Sequence, residues 1–347
     1  MTMDIQDDNS APESPATAWP RVTLGLLTYN QERWVRAAIE GALAQDYPNL
    51  EIIVSDDCSV DRTFDLMQEI ARSYTGPHTL VVRQTRKNCG SLLHVQDIAK
   101  AAGGELLVLA AGDDVSKPNR VTVLQQAWRD TGAWGLCSRF DRIDEDGLLL
   151  AEGERAAVLD ARAFDRYFTP DSGPVPVVHG CTSAYDARLF DYLQLASDDY
   201  VLSEDGALSV LLNLIGKSIV QLDDSLVLYR QNAMSLTNNI GNKALRYAEV
   251  ARDERNIERF AFSQANRCRL FLRMNGYLGA ARARELSVPR VETELRRQET
   301  KLGWFRMPLA VKASTLLAGN IPVNWALPRL LGRAPFYLLK SIASHAR

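Results

Sequence analysis

Four short apolar runs alternate with stretches of helical periodicity in the first third of the chain, and this alternation constrains the fold more than any other feature. The runs are Val22–Leu27, Glu51–Ser55, Leu80–Val82 and Leu106–Leu109. Each is too short for a helix and is bounded by turn-forming residues, so each reads as a buried strand. Between them, residues 32–45, 62–73 and 92–102 place apolar side chains at helical spacing, and 118–131 continues the series from Pro118. Strands alternating with helices in this way predict an α/β domain with a largely parallel sheet. Such sheets bind ligands in the loops at the carboxyl ends of their strands. Here those loops carry Thr28-Tyr29-Asn30, Asp56-Asp57 and Asp113-Asp114, so both acidic pairs are expected on one sheet edge.

Beyond Asp114 the pattern is less regular. Residues 134–150 read as strands around an Asp144–Gly147 turn, 204–216 as an amphipathic helix stopped by Gly216, and 218–229 as a strand pair or extended segment. From 243 to 300 the chain is helical and rich in arginine. Charge divides the molecule. Residues 251–347 hold 18 basic and 7 acidic side chains, while 1–250 hold 22 and 36. A carboxylate-rich front suits metal handling and a basic tail suits an anionic surface. The 24 % of charged residues and 46 % of hydrophobic ones exclude a mainly disordered chain or a coiled-coil rod. No apolar run reaches the length of a membrane span, and residues 1–20 read as a flexible leader without a secretory signal. Five dispersed cysteines (Cys58, Cys89, Cys137, Cys181 and Cys268) with no C-x-x-C pair predict reduced thiols in a cytoplasmic protein.

Two carboxylates at a strand end, Asp113 and Asp114, suit a hard divalent cation shared with substrate phosphates. Taken by itself, Gly-Asp-Asp is also an ordinary turn. In Asp56-Asp57-Cys58-Ser59, one carboxylate can accept from a base or ribose, while Ser59 or Asp61 can hold backbone donors of the next helix. Ser203-Glu204-Asp205 can likewise cap the 204–216 helix. His179, in His179-Gly-Cys-Thr-Ser183, forms no ligand spacing with His78, His94 or His345.

Together these residues carry a resemblance. The stretch 22–120 resembles the nucleotide-sugar-binding half of a family 2, GT-A type glycosyltransferase, through Leu27-Thr-Tyr-Asn30, Ala44-Gln-Asp-Tyr-Pro48, Glu51–Asp57, Ser59 with Asp61–Thr63, Asn88-Cys-Gly90, Gly104-Glu105 and Gly112-Asp-Asp114 followed by Pro118. Downstream, Ser203-Glu-Asp205 and Leu228-Tyr-Arg230 resemble the family's later motifs. The resemblance implies a Rossmann-like, mostly parallel mixed sheet flanked by helices, with a helical basic extension. Residues 21–240 would be the catalytic domain, with 21–120 taking the donor and 121–240 the acceptor, and 241–347 would be the extension. It implies transfer of a sugar, with inversion, from a nucleotide-diphospho-sugar to an acceptor hydroxyl in bacterial surface polysaccharide or glycolipid assembly. Thr28, Tyr29, Asn30, Glu32, Asp56, Asp57, Asn88, Asp113 and Arg230 would bind the donor. Asp113, Asp114 and Asn232 would hold Mn²⁺ or Mg²⁺, and Asp205 would be the general base.

Two departures thin the metal motif. Ala111 stands where many relatives place a third carboxylate, and Asn232 where many place a histidine. They motivate an alternative reading, a non-catalytic nucleotide-sugar-binding assembly protein. Residues 301–347 contain seven basic residues and no acidic one, interleaved with Trp304, Phe305, Trp325, Phe336 and Tyr337. This segment reads either as a peripheral contact with the inner face of the cell membrane, fitting a lipid-linked acceptor, or as a helical cap with solvated charges. No nucleic-acid motif is present.

Overall fold

The computed structural model describes residues 19–155, 164–165, 167–169, 175–231, 247–330 and 332–345. Its centre is one nine-stranded sheet. Strands β1 (Val22–Thr28), β2 (Leu50–Asp56), β3 (Thr79–Gln84) and β4 (Leu106–Ala111) form a parallel block in the order β3-β2-β1-β4. The register sets Thr28 beside Asp56 and Asp56 beside Gln84, while Leu27 faces Ala111. The loops after these strands therefore open on one edge, as the alternation predicted. Helices α1 (Val35–Leu43), α2 (Thr63–Ser73), α3 (Ser91–Ala101) and α4 (Arg120–Thr131) make the crossovers.

Strand alternation divides the core into two faces. Val22, Leu24, Leu26, Ile52, Val54 and Val108 pack against Val35, Ile39, Met67 and Leu124. On the other face Ile53, Leu107 and Leu109 meet Leu92, Val95 and Ile98 of α3. Gly25 keeps that contact close, since a Cβ there would lie 2.8 Å from the Ile98 Cγ2.

Beyond β4 the sheet becomes mixed. β8 (Ser183–Asp186) pairs antiparallel with β4 and with β6 (Gly135–Ile143). β9 (Ile219–Arg230) runs parallel to β6 as one continuous strand, with shifts of register at Cys137/Arg139 and Arg139/Phe140. The two-residue β5 (Val115–Ser116) joins the far end of β9, and β7 (Leu149–Glu154) makes a hairpin with β6. Helix α5 (Glu204–Leu214) is apolar nearly all round and sits inside the second core face.

The C-terminal region is helical: α6 (Tyr247–Leu278), α7 (Val288–Gly303), α8 (Leu309–Leu317), α9 (Val323–Ala326) and α10 (Arg333–His345). Cys268, Leu270, Phe271 and Met274 of α6 share one core with Leu208 and Leu211 of α5. Farther on, Trp304, Ile321 and Ala326 form a small separate cluster joined by Phe305 and Trp325. The aromatic residues of 301–347 are thus largely turned inward: Trp304, Phe336 and Tyr337 are buried, and Trp325 and Phe305 half-buried. Among the described residues no helix is long and apolar enough to cross a membrane. The five cysteines form no disulfide.

Candidate active site

The sheet edge gathers the acidic pairs, but it uses them differently. Asp56, at the end of β2, is fully buried. It accepts from Thr28 Oγ1 at 3.1 Å, Ser59 N–H at 2.8 Å and Gln84 Nε2 at 2.9 Å, and also from the Ser59 hydroxyl. Asp57 accepts from Thr85 Oγ1 at 3.1 Å, from the backbone N–H groups of Cys89 and Gly90 at 2.9 and 3.0 Å, and from Cys89 Sγ. Both are knots that fix loops, because a carboxylate with converging donors is the strongest available acceptor. Asn88 is tied into the same knot through Nδ2, which donates to the Asp57 carbonyl at 3.3 Å.

The loop after β1 is held with equal care. Asn30 adopts φ 53°, a conformation that asparagine tolerates better than most side chains. Its N–H donates to Ser59 Oγ and its Oδ1 accepts from Val60 N–H. Glu32 accepts from Arg62 N–H at 2.9 Å. Asp61 accepts from Thr63 N–H, holding the start of α2. Thr28 is buried in these contacts, whereas Tyr29 is exposed at 38 % and stands at the rim. Thr28, Asn30, Glu32 and Asp56 therefore shape the loop walls, and Tyr29 presents its ring to solvent.

The second acidic pair lies after β4. Asp113 is half-buried and Asp114 buried. Burial, and secondarily the neighbouring Asp113 carboxylate, push the Asp114 carboxyl well above its ordinary range. Asp114 accepts from Arg230 N–H at 2.8 Å and is hydrogen-bonded to the Cys181 thiol. Burial in turn pushes that thiol up strongly, so it stays a neutral donor. The Arg230 side chain faces backbone: Nε donates to the Asp113 carbonyl at 2.8 Å, and Nη1 to the Asp144 and Glu145 carbonyls at 3.0 Å each. With Arg33 and Trp34 Nε1, which also hold Glu145, it clamps the β6–β7 turn over the β1 loop.

Asp205 arrives on the first turn of α5. Ser203 does not cap that helix; its hydroxyl donates to Asp205 Oδ1 at 2.7 Å instead. Oδ1 also accepts from Gly206 N–H at 2.7 Å, while among the described residues Oδ2 takes only a long contact of 3.4 Å from Gly180 N–H. Oδ2 is the oxygen with acceptor capacity to spare. Glu204, beside it, is pushed up to about 7 by burial and by the Asp205 charge, with Ser91 as a hydrogen-bond partner. Gly180 lets the Glu204 carboxylate lie close, since a Cβ there would come within 2.5 Å of Glu204 Oε1 and displace it.

One short segment joins the two acidic centres. Residues 179–182 bond Asp114 through Cys181 and Asp205 through Gly180. The Cys181 carbonyl accepts from the buried Arg120, whose guanidinium burial lowers to about 10. His179 stacks on Phe140 with ring centroids 5.9 Å apart, and burial lowers its imidazole below its ordinary value. The structure thus brings Asp113, Asp114, Arg230 and Asp205 into one connected network. Cys181, Gly180 and Glu204 belong to it although spacing gave them no role; a lone cysteine far along the chain carries no local signal.

As a metal site the residues are partial. Among the described residues no group of three or more His, Cys, Asp or Glu side chains could hold an ion. Asn232, expected as a ligand, lies outside the described residues. What the described residues offer an ion here is one pair of neighbouring carboxylates, the half-buried Asp113 and the buried Asp114.

Residues 23–194 match the family model "Glycosyl transferase family 2". An uncharacterised protein of Mycobacterium tuberculosis (strain H37Rv), Rv1520, is 39 % identical over 90 residues, which are 25 % of this chain and 25 % of that protein. Glycosyltransferase GlyA of Streptococcus pneumoniae serotype 4 is 25 % identical over 224 residues, covering 62 % of this chain and 31 % of that protein. The chain thus spans about a quarter to a third of the length of these two relatives. Among solved structures, a mannosyltransferase of Pyrobaculum calidifontis in complex with GDP-Man and Mn²⁺ is similar at 18 % identity and a TM-score of 0.49, over 95 % of this chain and 88 % of that one. The fold is a mixed, mostly parallel α/β sheet followed by a helical C-terminal region.

Proposed function

We propose that this chain is an inverting glycosyltransferase that moves a sugar from a nucleotide-diphospho-sugar to an acceptor hydroxyl, in surface polysaccharide or glycolipid assembly. The observation that carries the reading is the joining of the Asp113–Asp114 pair to Asp205 by residues 179–182. A single in-line displacement needs charge stabilisation behind the leaving group and a base on the opposite side. Asp205 Oδ2 takes the proton of the acceptor hydroxyl. The acceptor's oxygen, not the carboxylate, forms the new bond to the anomeric carbon, and the bond to the nucleoside diphosphate breaks with its electron pair leaving on the diphosphate. Tyr29 and the loops fixed by Asp56, Asp57 and Asn88 frame the nucleoside. Asp113 and Asp114 would hold a divalent cation, with Asn232 as a further ligand, and such an ion would neutralise diphosphate charge when bound. Residues 21–120 serve the donor and 121–240 the acceptor.

The test separates binding from chemistry. Thermal shift with UDP-, GDP- and dTDP-sugars, with Mn²⁺, Mg²⁺ or EDTA, identifies the donor, since a ligand of the folded state raises the midpoint. Asp205→Asn is expected to keep that shift and to lose transfer by about a thousandfold or more. Full transfer by the variant removes Asp205 from the chemistry. The second reading, a non-catalytic binder, is favoured by Ala111 in place of a carboxylate and by the absence of a three-ligand cluster among the described residues. It predicts a donor shift with no turnover for any acceptor.

A further inference from the structure

Arg267 is a buried charge that the transfer chemistry above does not use. It stands on α6 at 6 % exposure, among the rings of Phe164, Tyr167 and Phe271, whose centroids lie 5.3, 6.0 and 5.9 Å from its guanidinium carbon. Rings attract a cation, but they do not replace the oxygen acceptors that five N–H donors require. Buried Nε has no acceptor, and Nη2 reaches only the Tyr167 hydroxyl, at 3.5 Å. The other arginines buried among the described residues are provided for: Arg120 and Arg230 by carbonyls, Arg329 by Glu254. Among the described residues Arg267 has no carboxylate partner. An unpaired buried guanidinium is among the costliest groups a core can hold.

Its surroundings deepen the imbalance. Nη1 lies 3.1 Å from the place a Cβ on Gly206 would occupy, against the first turn of α5. That turn is the positive end of an eleven-residue helix. The two acids of the turn are engaged elsewhere: Asp205 Oδ1 accepts from Ser203 and Gly206, and Glu204 lies against Gly180 and Ser91. Neighbours of Arg267 on α6 hold the approach to the turn. Ser263 Oγ accepts from Leu202 N–H, and Asn266 Nδ2 donates to the Asp198 and Tyr200 carbonyls. A fixed guanidinium and a helix N-terminus thus converge on one point with no anion between them.

We propose that Arg267 receives an anionic group of the acceptor, a phosphate or a carboxylate. The guanidinium fork matches the oxygens of either through paired N–H bonds. Gly206 follows Asp205 in the chain, so an acceptor anchored here by its anion brings a nearby hydroxyl to the carboxylate that takes its proton. Arg267 sets which acceptor binds and takes no part in bond breaking. The inference rests on the transfer reading for the word acceptor, but the anion site itself is measured without turnover.

The experiment is thermal shift of the full chain in EDTA with inorganic phosphate, methyl phosphate, acetate or glycerol. Wild type is expected to shift with an anion and not with glycerol. Methyl phosphate without acetate names a phosphate ester, and acetate without methyl phosphate names a carboxylate. Arg267→Met should weaken the anion about tenfold or more, Arg267→Lys should weaken it less, and Asp113→Asn should keep it. Without anion, Arg267→Met should melt at or above the wild-type temperature, because it removes a charge that lacks a partner. With donor and an anionic acceptor, its KM should rise about tenfold while kcat is kept. Three results would overturn the inference: no anion shift in wild type, an equal shift in Arg267→Met, or a midpoint of that variant far below wild type, which would show the guanidinium paired within the chain. An anion shift that Arg267→Met loses, with no turnover of any acceptor, upholds the anion site and removes the transfer reading instead.

Discussion

Glu204 shows how a single side chain tunes the site. Its ordinary value is 4.5, and burial beside Asp205 pushes it up to about 7. Between those values the folded chain keeps a proton that the unfolded chain has released. Stability from this group therefore falls as pH rises above about 4.5, and the loss is complete above about 7. Glu204→Gln removes the effect. Urea unfolding of both proteins from pH 5 to pH 8 should show wild type losing up to about 3 kcal/mol relative to the variant across that range. Parallel profiles would mean that Glu204 titrates normally. The acidic pairs were legible as strand-end residues because apolar runs located the strand ends. That Asp56 and Asp57 are loop knots was not legible, since their donors Gln84, Thr85, Cys89 and Gly90 come from another strand and loop.

Among the elements, the β6–β7 turn depends on others for its place. Arg33, Trp34 and Arg230 hold Glu145, with Asp144 and Asp146 beside it, from α1's approach and from the end of β9. Arg230→Met would take one donor from each of three carbonyls, of which Glu145 keeps Trp34 Nε1 and Asp144 keeps Gly147 N–H, and is expected to cost about 2 kcal/mol. Amide hydrogen exchange in residues 144–148 should quicken with it. If Arg230 instead acts on the diphosphate, donor affinity falls and the turn's exchange does not change. Longer elements were readable because periodicity accumulates over them: β1, β2, α2 and α3 lie within two or three residues of their predicted spans. β5 and β8 were not, because two and four residues carry no period. Of the two readings of 218–229, a strand pair or an extended segment, the structure takes the second as the single strand β9, whose solvated Asp223 and Asp224 resemble a turn but ride a register shift.

Across the whole molecule, the C-terminal helices are fastened by a buried ion pair. Arg329 donates through Nε and Nη2 to Glu254 at 3.0 and 2.5 Å, between the rings of Trp325 and Phe336. Both partners are buried. Glu254→Gln leaves a guanidinium without its counter-charge and should cost about 3–5 kcal/mol in urea unfolding. Replacing both partners, Glu254→Leu with Arg329→Met, should recover most of that loss. If the single and double variants are equally destabilised, packing rather than charge holds the joint. The basic bias of this region was visible in composition. Its internal use was not, because Arg329, Arg333 and Lys340 pair with α6 acids about two to three helix lengths earlier in the chain.

The order of strands in the sheet also sets the order of events at synthesis. β4 is covered on its free side by β8, and β8 by β6, so the parallel block is unfinished when β4 leaves the ribosome. Until Ser183–Asp186 emerges, Leu106–Ala111 stands as an open edge with leucines and valine on both faces. Such an edge can pair with any other chain in reach. The nascent protein therefore passes through an interval in which the four-stranded parallel block is made and the β4 edge is uncovered. Arg230, which closes over Asp113 and Asp114, comes only at the end of that interval. The strand-end loops of the candidate site are thus encoded first and secured last.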